Sequence, residues 1–402
     1  MRDWWTEAMG RRPAWMNVLL AFCAYMAFVY VPWDFLVKPV AVDREAWFGL
    51  LLSGWAAKAT EPLHWVIYAA GVYGFWRMRP WMWPWAAIYA AQVAIGMGVW
   101  PILHFGGLRG VATGLAAFIP LSALTVALWR ARSLFRAPRP SLRERYGDWA
   151  LVTGASAGIG TAFARALARE GVSVVLAARR TERLRELGAE LEKASAVATR
   201  VVAVDLASAD GPERLAQAVA DLEIAILVNN AGFGLAGRLE RQDAERLREM
   251  VQLNCVAPLW LTRRLLPGMR QRGRGAVLFT GSIAAKQPLP LHNVYAATKV
   301  FDGFLGEALW AEMRGSGVDV LVVEPGPTET EFQEVAGEIA HPGQSPDEVV
   351  AIAFEALGRQ PSVATRWLDW LRGNAGMRIM PRSLLTLAAK AFITRQTPPE
   401  LR

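Results

Sequence analysis

The distribution of apolar positions changes character near residue 140. Before it, apolar residues come in long runs at 14–33, 62–76, 81–103 and 108–129, the first interrupted only by Asn17. About 20 apolar residues is what an α-helix needs to cross a hydrocarbon layer about 30 Å thick. The pattern therefore predicts an all-α region of about four transmembrane helices. The second run is short, and an alternative start near Trp47, with a kink at Pro62, would lengthen it. The first run is too long for a cleaved signal peptide and further spans follow it, so it reads as a retained helix.

From Asp148 onward, short apolar runs alternate with helix-period stretches. Strands are predicted at 150–153, 173–177, 200–203, 224–228, 275–280 and 319–323, and helices at 162–170, 182–194, 212–220, 244–270 and 296–314. This alternation predicts an α/β domain with a Rossmann-type, doubly wound parallel sheet. After Pro361 the pattern changes again. Trp367, Leu368, Trp370, Leu371, Met377, Ile379, Met380 and the run 384–392 are punctuated by Arg366, Arg372, Arg378, Arg382 and Lys390. Such a basic amphipathic segment either lies in a membrane interface or packs as a helix pair over one end of the sheet. The chain divides into a transmembrane region with a basic linker (1–140), a nucleotide-binding domain (141–360) and a basic C-terminal extension (361–402).

Composition supports the division. Thirteen of the 18 tryptophans precede residue 130, and Trp33, Trp76, Trp81, Trp83, Trp85, Trp100 and Trp129 fall at predicted span ends, as in an aromatic belt. The net charge of +8 is carried by arginines that flank apolar runs, which favours a membrane surface over nucleic acid. Arg2, Arg11, Arg12, Arg77, Arg79, Arg130, Arg132, Arg136 and Arg139 fall on one side of a four-span arrangement. Lys38, Arg44, Lys58 and Arg109, offset by Asp34, Asp43, Glu45 and Glu61, fall on the other. The positive-inside rule then places the N-terminus and the nucleotide-binding domain in the cytoplasm of a bacterial-type inner membrane. Residues 130–145 read as a linker along an anionic leaflet. His64, His104, Lys58 and Glu61 lie near span ends and are expected to meet water at the outer interface; a functional role at membrane depth is the alternative. Two cysteines, Cys23 and Cys255, make neither a disulfide framework nor a metal site and suit a reducing compartment.

The candidate chemistry begins at the first predicted strand. Gly154, Gly158 and Gly160 lie between that strand and an Ala-rich helix, a geometry that brings backbone N–H groups against a pyrophosphate. Asn229-Asn230-Ala231-Gly232 follows a later strand, Asn254 lies in a helix, Ser282 follows another strand, and Tyr295 and Lys299 open a helix. Tyr295 and Lys299 are four residues apart and share a helix face. A nearby ammonium favours the phenolate and pulls a tyrosine pKa down from about 10, which suits proton exchange with a carbonyl or alcohol oxygen.

Taken together, these motifs resemble the short-chain dehydrogenase/reductase family over residues 148–335. The resemblance implies a catalytic tetrad of Asn254, Ser282, Tyr295 and Lys299. Ser282 would bind the substrate oxygen, Lys299 the nicotinamide ribose, and Asn254 a water of the proton relay. It further implies cofactor contacts from Thr153, Gly154, Ser156, Gly158, Ile159 and Gly160 and from Asn230, Ala231 and Gly232. Asp205 and Leu206 would meet the adenine, and Pro325, Gly326 and Thr328 the nicotinamide. The second strand ends in Arg179 and Arg180 with no acid, which favours NADP(H) over NAD(H), because a guanidinium clamps a 2′-phosphate. Family members commonly form dimers or tetramers.

The expected activity is that of a membrane-anchored, NADPH-dependent oxidoreductase. It would reduce the carbonyl of a lipophilic substrate such as a 3-keto lipid or an acyl, isoprenoid or sterol-like ketone. Segments 284–293 and 329–343 are expected to shape its pocket. The competing expectation is an NADP(H)-sensing domain that regulates a transport or lipid-binding module; a complete tetrad argues for catalysis instead.

Overall fold

The computed structural model describes residues 12–47, 50–135, 140–371 and 381–402. Arg2, Arg11, Arg136, Arg139, Arg372, Met377, Arg378, Ile379 and Met380 lie outside the described residues. The chain forms two compact units, which meet in sequence between Arg139 and Pro140.

In the first unit, α1 (Ala14–Tyr25) runs through a π turn, Met26–Tyr30, into a further helical stretch, Val31–Leu36. A hairpin of β1 (Arg44–Trp47) and β2 (Leu50–Ser53) follows. Then come α2 (Glu61–Arg77), α3 (Met82–Phe105) and α4 (Gly107–Arg130). Three helical segments, Ala14–Leu36, Met82–Phe105 and Gly107–Phe135, are long and apolar enough to cross a membrane. The fourth expected span, α2, has 17 residues, and at about 1.5 Å per residue it falls short of a hydrocarbon layer about 30 Å thick. Nor does it reach back to Trp47 as one helix, because the hairpin intervenes. Two glycines a helical turn apart, Gly110 and Gly114, let α4 approach α3 closely. A Cβ on Gly114 would fall on the carbonyl oxygen of Gly98.

A further expectation fails in this unit. Lys58 and Glu61 do not meet water; they are 6% and 1% exposed. They join Asp34, Lys38 and Asp43 in a buried network in which Lys38 Nζ lies 2.7 Å from Asp34 and 2.6 Å from Asp43. Lys58 Nζ donates to the carbonyls of Asp34 and Lys38. His64 meets Glu45 at 2.6 Å. Charges removed from water need partners, and here they come from the stretch between Asp34 and Asp43 and from the start of α2. His104 stays exposed, stacked on Trp100.

The second unit alternates strand and helix as expected. The order is β3 (Trp149–Thr153), α5 (Gly158–Arg169), β4 (Ser173–Ala178), α6 (Thr181–Ser195), β5 (Thr199–Ala203), α7 (Gly211–Ala218) and β6 (Ile224–Asn229). It continues with α8 (Ala244–Val251), α9 (Ala257–Arg272), β7 (Gly275–Thr280), α10 (Asn293–Glu312), β8 (Val318–Glu324), α11 (Pro346–Ala356), β9 (Ser362–Ala364) and α12 (Arg382–Gln396). The seven strands form one parallel sheet in the order β5-β4-β3-β6-β7-β8-β9. Every residue of β6 and β7 is buried, which is why these strands read as continuous apolar runs rather than alternating ones. Two separate apolar cores cover the two sheet faces. Chain order reverses between β3 and β6, so a crevice opens past the carboxyl ends of these strands.

Two features depart from the sequence reading. The single helix expected at 244–270 is α8 and α9 joined by a π turn, Gln252–Val256. Strand β9 and helix α11 were not foreseen, since three residues of strand are too few to leave a pattern.

Candidate active site

The crevice encloses about 520 Å³ and gathers most of the residues singled out in the sequence. Its floor is the turn after β3. Gly154 has φ +68°, and a Cβ there would lie 2.9 Å from Ala231 Cα. A Cβ on Gly160 would fall on the carbonyl oxygen of Gly154. The backbone thus folds tightly enough to present its amides at the start of α5. Gly154, Ser156, Gly158 and Ile159 line the crevice, as do Asn230, Ala231 and Gly232 from the end of β6. Thr153 and Gly160 do not line it; they support it from behind. Thr153 Oγ1 accepts the backbone N–H of Asn230 at 2.9 Å and of Ala231 at 3.0 Å. Asn230 Nδ2 returns a bond to the Thr153 carbonyl at 3.0 Å, so the ends of β3 and β6 are stapled together.

At the end of β4, Arg179 and Arg180 are exposed and line the crevice. Arg180 Nε donates to Ser156 Oγ at 3.1 Å, and its Nη1 meets Glu331 at 2.5 Å. Glu331 also meets Arg183, and the bonds from Arg183 and Arg180 hold its carboxyl below the ordinary carboxylate range. Arg179 enters none of the described ion pairs and points its charge at no carboxylate among them. Two guanidinium groups at this end, that of Arg180 already paired with Glu331, supply the cationic donors that a 2′-phosphate needs. The tightly folded glycine turn likewise leaves room for a pyrophosphate against backbone N–H groups. Asp205 and Leu206 line the same end, with Asp205 Oδ1 accepting from the Ala207 amide at 3.0 Å. Pro325, Gly326 and Thr328 line the other end, after β8.

Between these ends lie Ser282, Tyr295 and Lys299. Ser282 caps a short 3-10 turn, Ile283–Lys286, its Oγ accepting from the Ala284 amide at 3.1 Å, and lies close enough to Tyr295 to favour its phenolate. That turn is tied to the end of β8 by a 2.5 Å pair between Lys286 and the buried Glu324. Tyr295 and Lys299 lie one turn apart on α10. Burial pushes the Tyr295 phenol above its ordinary value of 10; Lys299 and Ser282 pull it down but do not outweigh the desolvation. The expected lowering is therefore one contribution to a net rise. The Lys299 ammonium is also engaged elsewhere. It is turned toward the Thr280 carbonyl at 2.8 Å and Asp302 Oδ2 at 3.1 Å. Burial alone would depress Lys299; Asp302 and Tyr295 hold it above 10.5.

Asn254 sits in the π turn, 1% exposed, and does not line the crevice. Its amide is occupied: Oδ1 accepts from the Phe233 N–H at 3.2 Å, and Nδ2 donates to the Phe233 carbonyl at 2.9 Å and Thr298 Oγ1 at 3.0 Å. It binds the segment after β6 to the residue preceding Lys299.

Sequence reasoning missed Asp302, although its place three residues after Lys299 on one helix was a readable sign. It also missed Phe392, Ile393 and Gln396, which bring α12 into the crevice wall. Within 284–293 and 329–343, Leu289, His292, Phe332, Val335, Glu338 and His341 line the crevice. Burial lowers His292 to about 4, so it is neutral beside Glu338.

Comparison with known proteins gives the family of this fold. The model of the family described as short chain dehydrogenase matches residues 148–339. A human very-long-chain 3-oxoacyl-CoA reductase is 35% identical over 218 residues, covering 53% of this chain and 70% of that protein. The mouse protein of the same name is 30% identical over 282 residues, covering 69% of this chain and 89% of its own. The chain belongs to the short-chain dehydrogenase family. It is accordingly an oxidoreductase, and its second unit carries the fold that the family shares. A 7beta-hydroxysteroid dehydrogenase of Mediterraneibacter gnavus is 31% identical over 230 residues, covering 56% of this chain and 88% of that one. Among solved structures, one on 7beta-hydroxysteroid dehydrogenase stereoselectivity has a TM-score of 0.59 at 28% identity, covering 62% of this chain and 99% of that one. A Sphingobium yanoikuyae short-chain dehydrogenase in complex with NADPH has a TM-score of 0.52 at 32% identity, covering 59% and 97%.

Proposed function

We propose that this chain is a membrane-anchored, NADP(H)-dependent reductase that converts the ketone of a long-chain 3-oxoacyl thioester, or a closely similar lipophilic ketone, to an alcohol. The observation that carries the reading is the placement of Ser282, Tyr295 and Lys299 in one crevice, between a phosphate-binding end and an apolar wall of Leu289, Phe332, Val335, Phe392 and Ile393. The names of the most similar relatives support a 3-oxoacyl or steroid-like substrate. The NADPH complex of a 32% identical family structure supports the cofactor, as does Arg179, which lines the crevice and enters none of the described ion pairs. Three helices of spanning length support membrane anchoring. The excess of arginine after α2 and α4 supports a cytoplasmic catalytic unit in a bacterial-type inner membrane. Exposed Leu259, Trp260, Phe301 and Phe304 on α9 and α10 support self-association.

NADPH, when bound, supplies the hydride. The chain supplies the rest. Ser282 Oγ and the Tyr295 hydroxyl bind the substrate carbonyl oxygen, and Tyr295 gives that oxygen its proton. Lys299 holds a positive charge beside the phenol, which lowers the cost of the phenolate left behind. Asn254 fixes the position of Lys299 through Thr298 and the Phe233 backbone.

The test is NADPH oxidation by the full-length protein in detergent with 3-oxoacyl thioesters of increasing chain length. Turnover that improves with chain length and falls about 10²- to 10⁴-fold in Tyr295→Phe is expected. Tight NADPH binding without turnover of any ketone would overturn the reading in favour of a sensor.

A further inference from the structure

Helix α12 is apolar on two faces. Leu385, Ala389 and Ile393 are buried against the catalytic unit. Leu384, Leu387, Ala388, Ala391 and Phe392 form a second stripe at helical spacing that faces outward, with Leu384 52%, Leu387 62% and Phe392 56% exposed. Arg382, Lys390 and Arg395 are exposed on the same helix, which carries no acidic residue. The helix is fixed in place. The Ile339 amide donates to the Gln396 carbonyl at 2.9 Å, and after it the Arg238 amide donates to the Leu401 carbonyl at 3.0 Å. Arg241 donates to the carbonyls of Glu400 and Arg402. The outward stripe also ends at the crevice, because Phe392 is both exposed and part of the crevice wall.

A row of exposed Leu and Phe flanked only by cations matches one occupant best, the headgroup and acyl boundary of an anionic bilayer. The same chain carries three helices able to anchor it there. We propose that the outer face of α12 seats in the bilayer surface, so that a lipophilic substrate enters the crevice from the leaflet past Phe392. The entry route rests on the lipophilic substrate proposed above; the seating of α12 does not.

Full-length protein is reconstituted into phosphatidylethanolamine–phosphatidylglycerol vesicles containing a phospholipid with a photoactivatable acyl chain, and adducts are mapped by mass spectrometry. Adducts on the peptides 383–390 and 391–395 are expected, in addition to those on the spanning helices. Leu384→Glu with Leu387→Glu should remove them while leaving turnover of a short, soluble ketone unchanged. The same variant should lower kcat/KM for a vesicle-embedded long-chain ketone by about tenfold, a loss of about 1.4 kcal/mol. Lys390→Glu with Arg395→Glu should weaken the adducts in these anionic vesicles and not in phosphatidylcholine vesicles. Wild-type protein with no acyl adducts on α12 would overturn the proposal. Adducts on α12 in protein that reduces no ketone would uphold the seating and overturn the substrate reading.

Discussion

At Lys299 the chain sets two forces against each other. Burial favours the neutral amine, and Asp302, 3.1 Å away and itself buried, favours the ammonium and prevails. Replacing Asp302 by Asn keeps the shape and removes the charge, so burial loses its main opponent and the lysine pKa falls. The alkaline limb of the kcat/KM profile should then move to lower pH, because Lys299 loses its proton earlier as pH rises. Leaving an ammonium buried without its anion should also cost on the order of 3 kcal/mol of stability, read as a lower Tm. An unchanged pH profile in Asp302→Asn would show that another group keeps Lys299 charged. Arg179 supports a second prediction at this scale. If it meets the 2′-phosphate, Arg179→Ala should raise KM for NADPH roughly 10- to 100-fold and leave KM for NADH nearly unchanged. Equal changes with both cofactors would remove it from phosphate recognition.

Among the elements, the ones that carry the site depart from regular helix where function needs it. The π turn between α8 and α9 directs Asn254 inward, and a helix-period pattern carries no trace of such a turn. Pro258 at the start of α9 is the visible mark of the break. In the first unit, close packing of α3 and α4 rests on Gly98, Gly110 and Gly114. Gly114→Leu would drive a side chain into the backbone of α3. It should lower the Tm of the first unit in detergent by several degrees, while NADPH binding by the second unit persists. An unchanged Tm would mean that the two helices separate at little cost.

For the molecule as a whole, the parallel sheet was legible because its strands are buried on both faces and its glycine turn has few substitutes. Six of its strands fall where short apolar runs interrupt helical spacing; β9 does not, because it is three residues long and only half-buried. The candidate residues that the crevice gathers were chosen by type and order, but their surroundings were not legible. The orientation of Lys299 toward Asp302, the enclosed amide of Asn254 and the supporting positions of Thr153 and Gly160 depend on contacts between distant segments. The same holds for Lys58 and Glu61, which are buried among charged groups drawn from separate segments, Asp34, Lys38 and Asp43.

The central claim is that this crevice reduces a lipophilic ketone at the expense of NADPH, with Tyr295 supplying the proton. Full-length protein supplied with NADPH deuterated at the nicotinamide C4 and a long-chain 3-oxoacyl thioester tests it in one experiment, read by mass spectrometry of the product. The account predicts a 3-hydroxyacyl product with a single deuterium at carbon 3, formed from one face of the cofactor only and missing with Tyr295→Phe. Cofactor that stays unoxidised, or a product that carries no deuterium whichever C4 position is labelled, would contradict it.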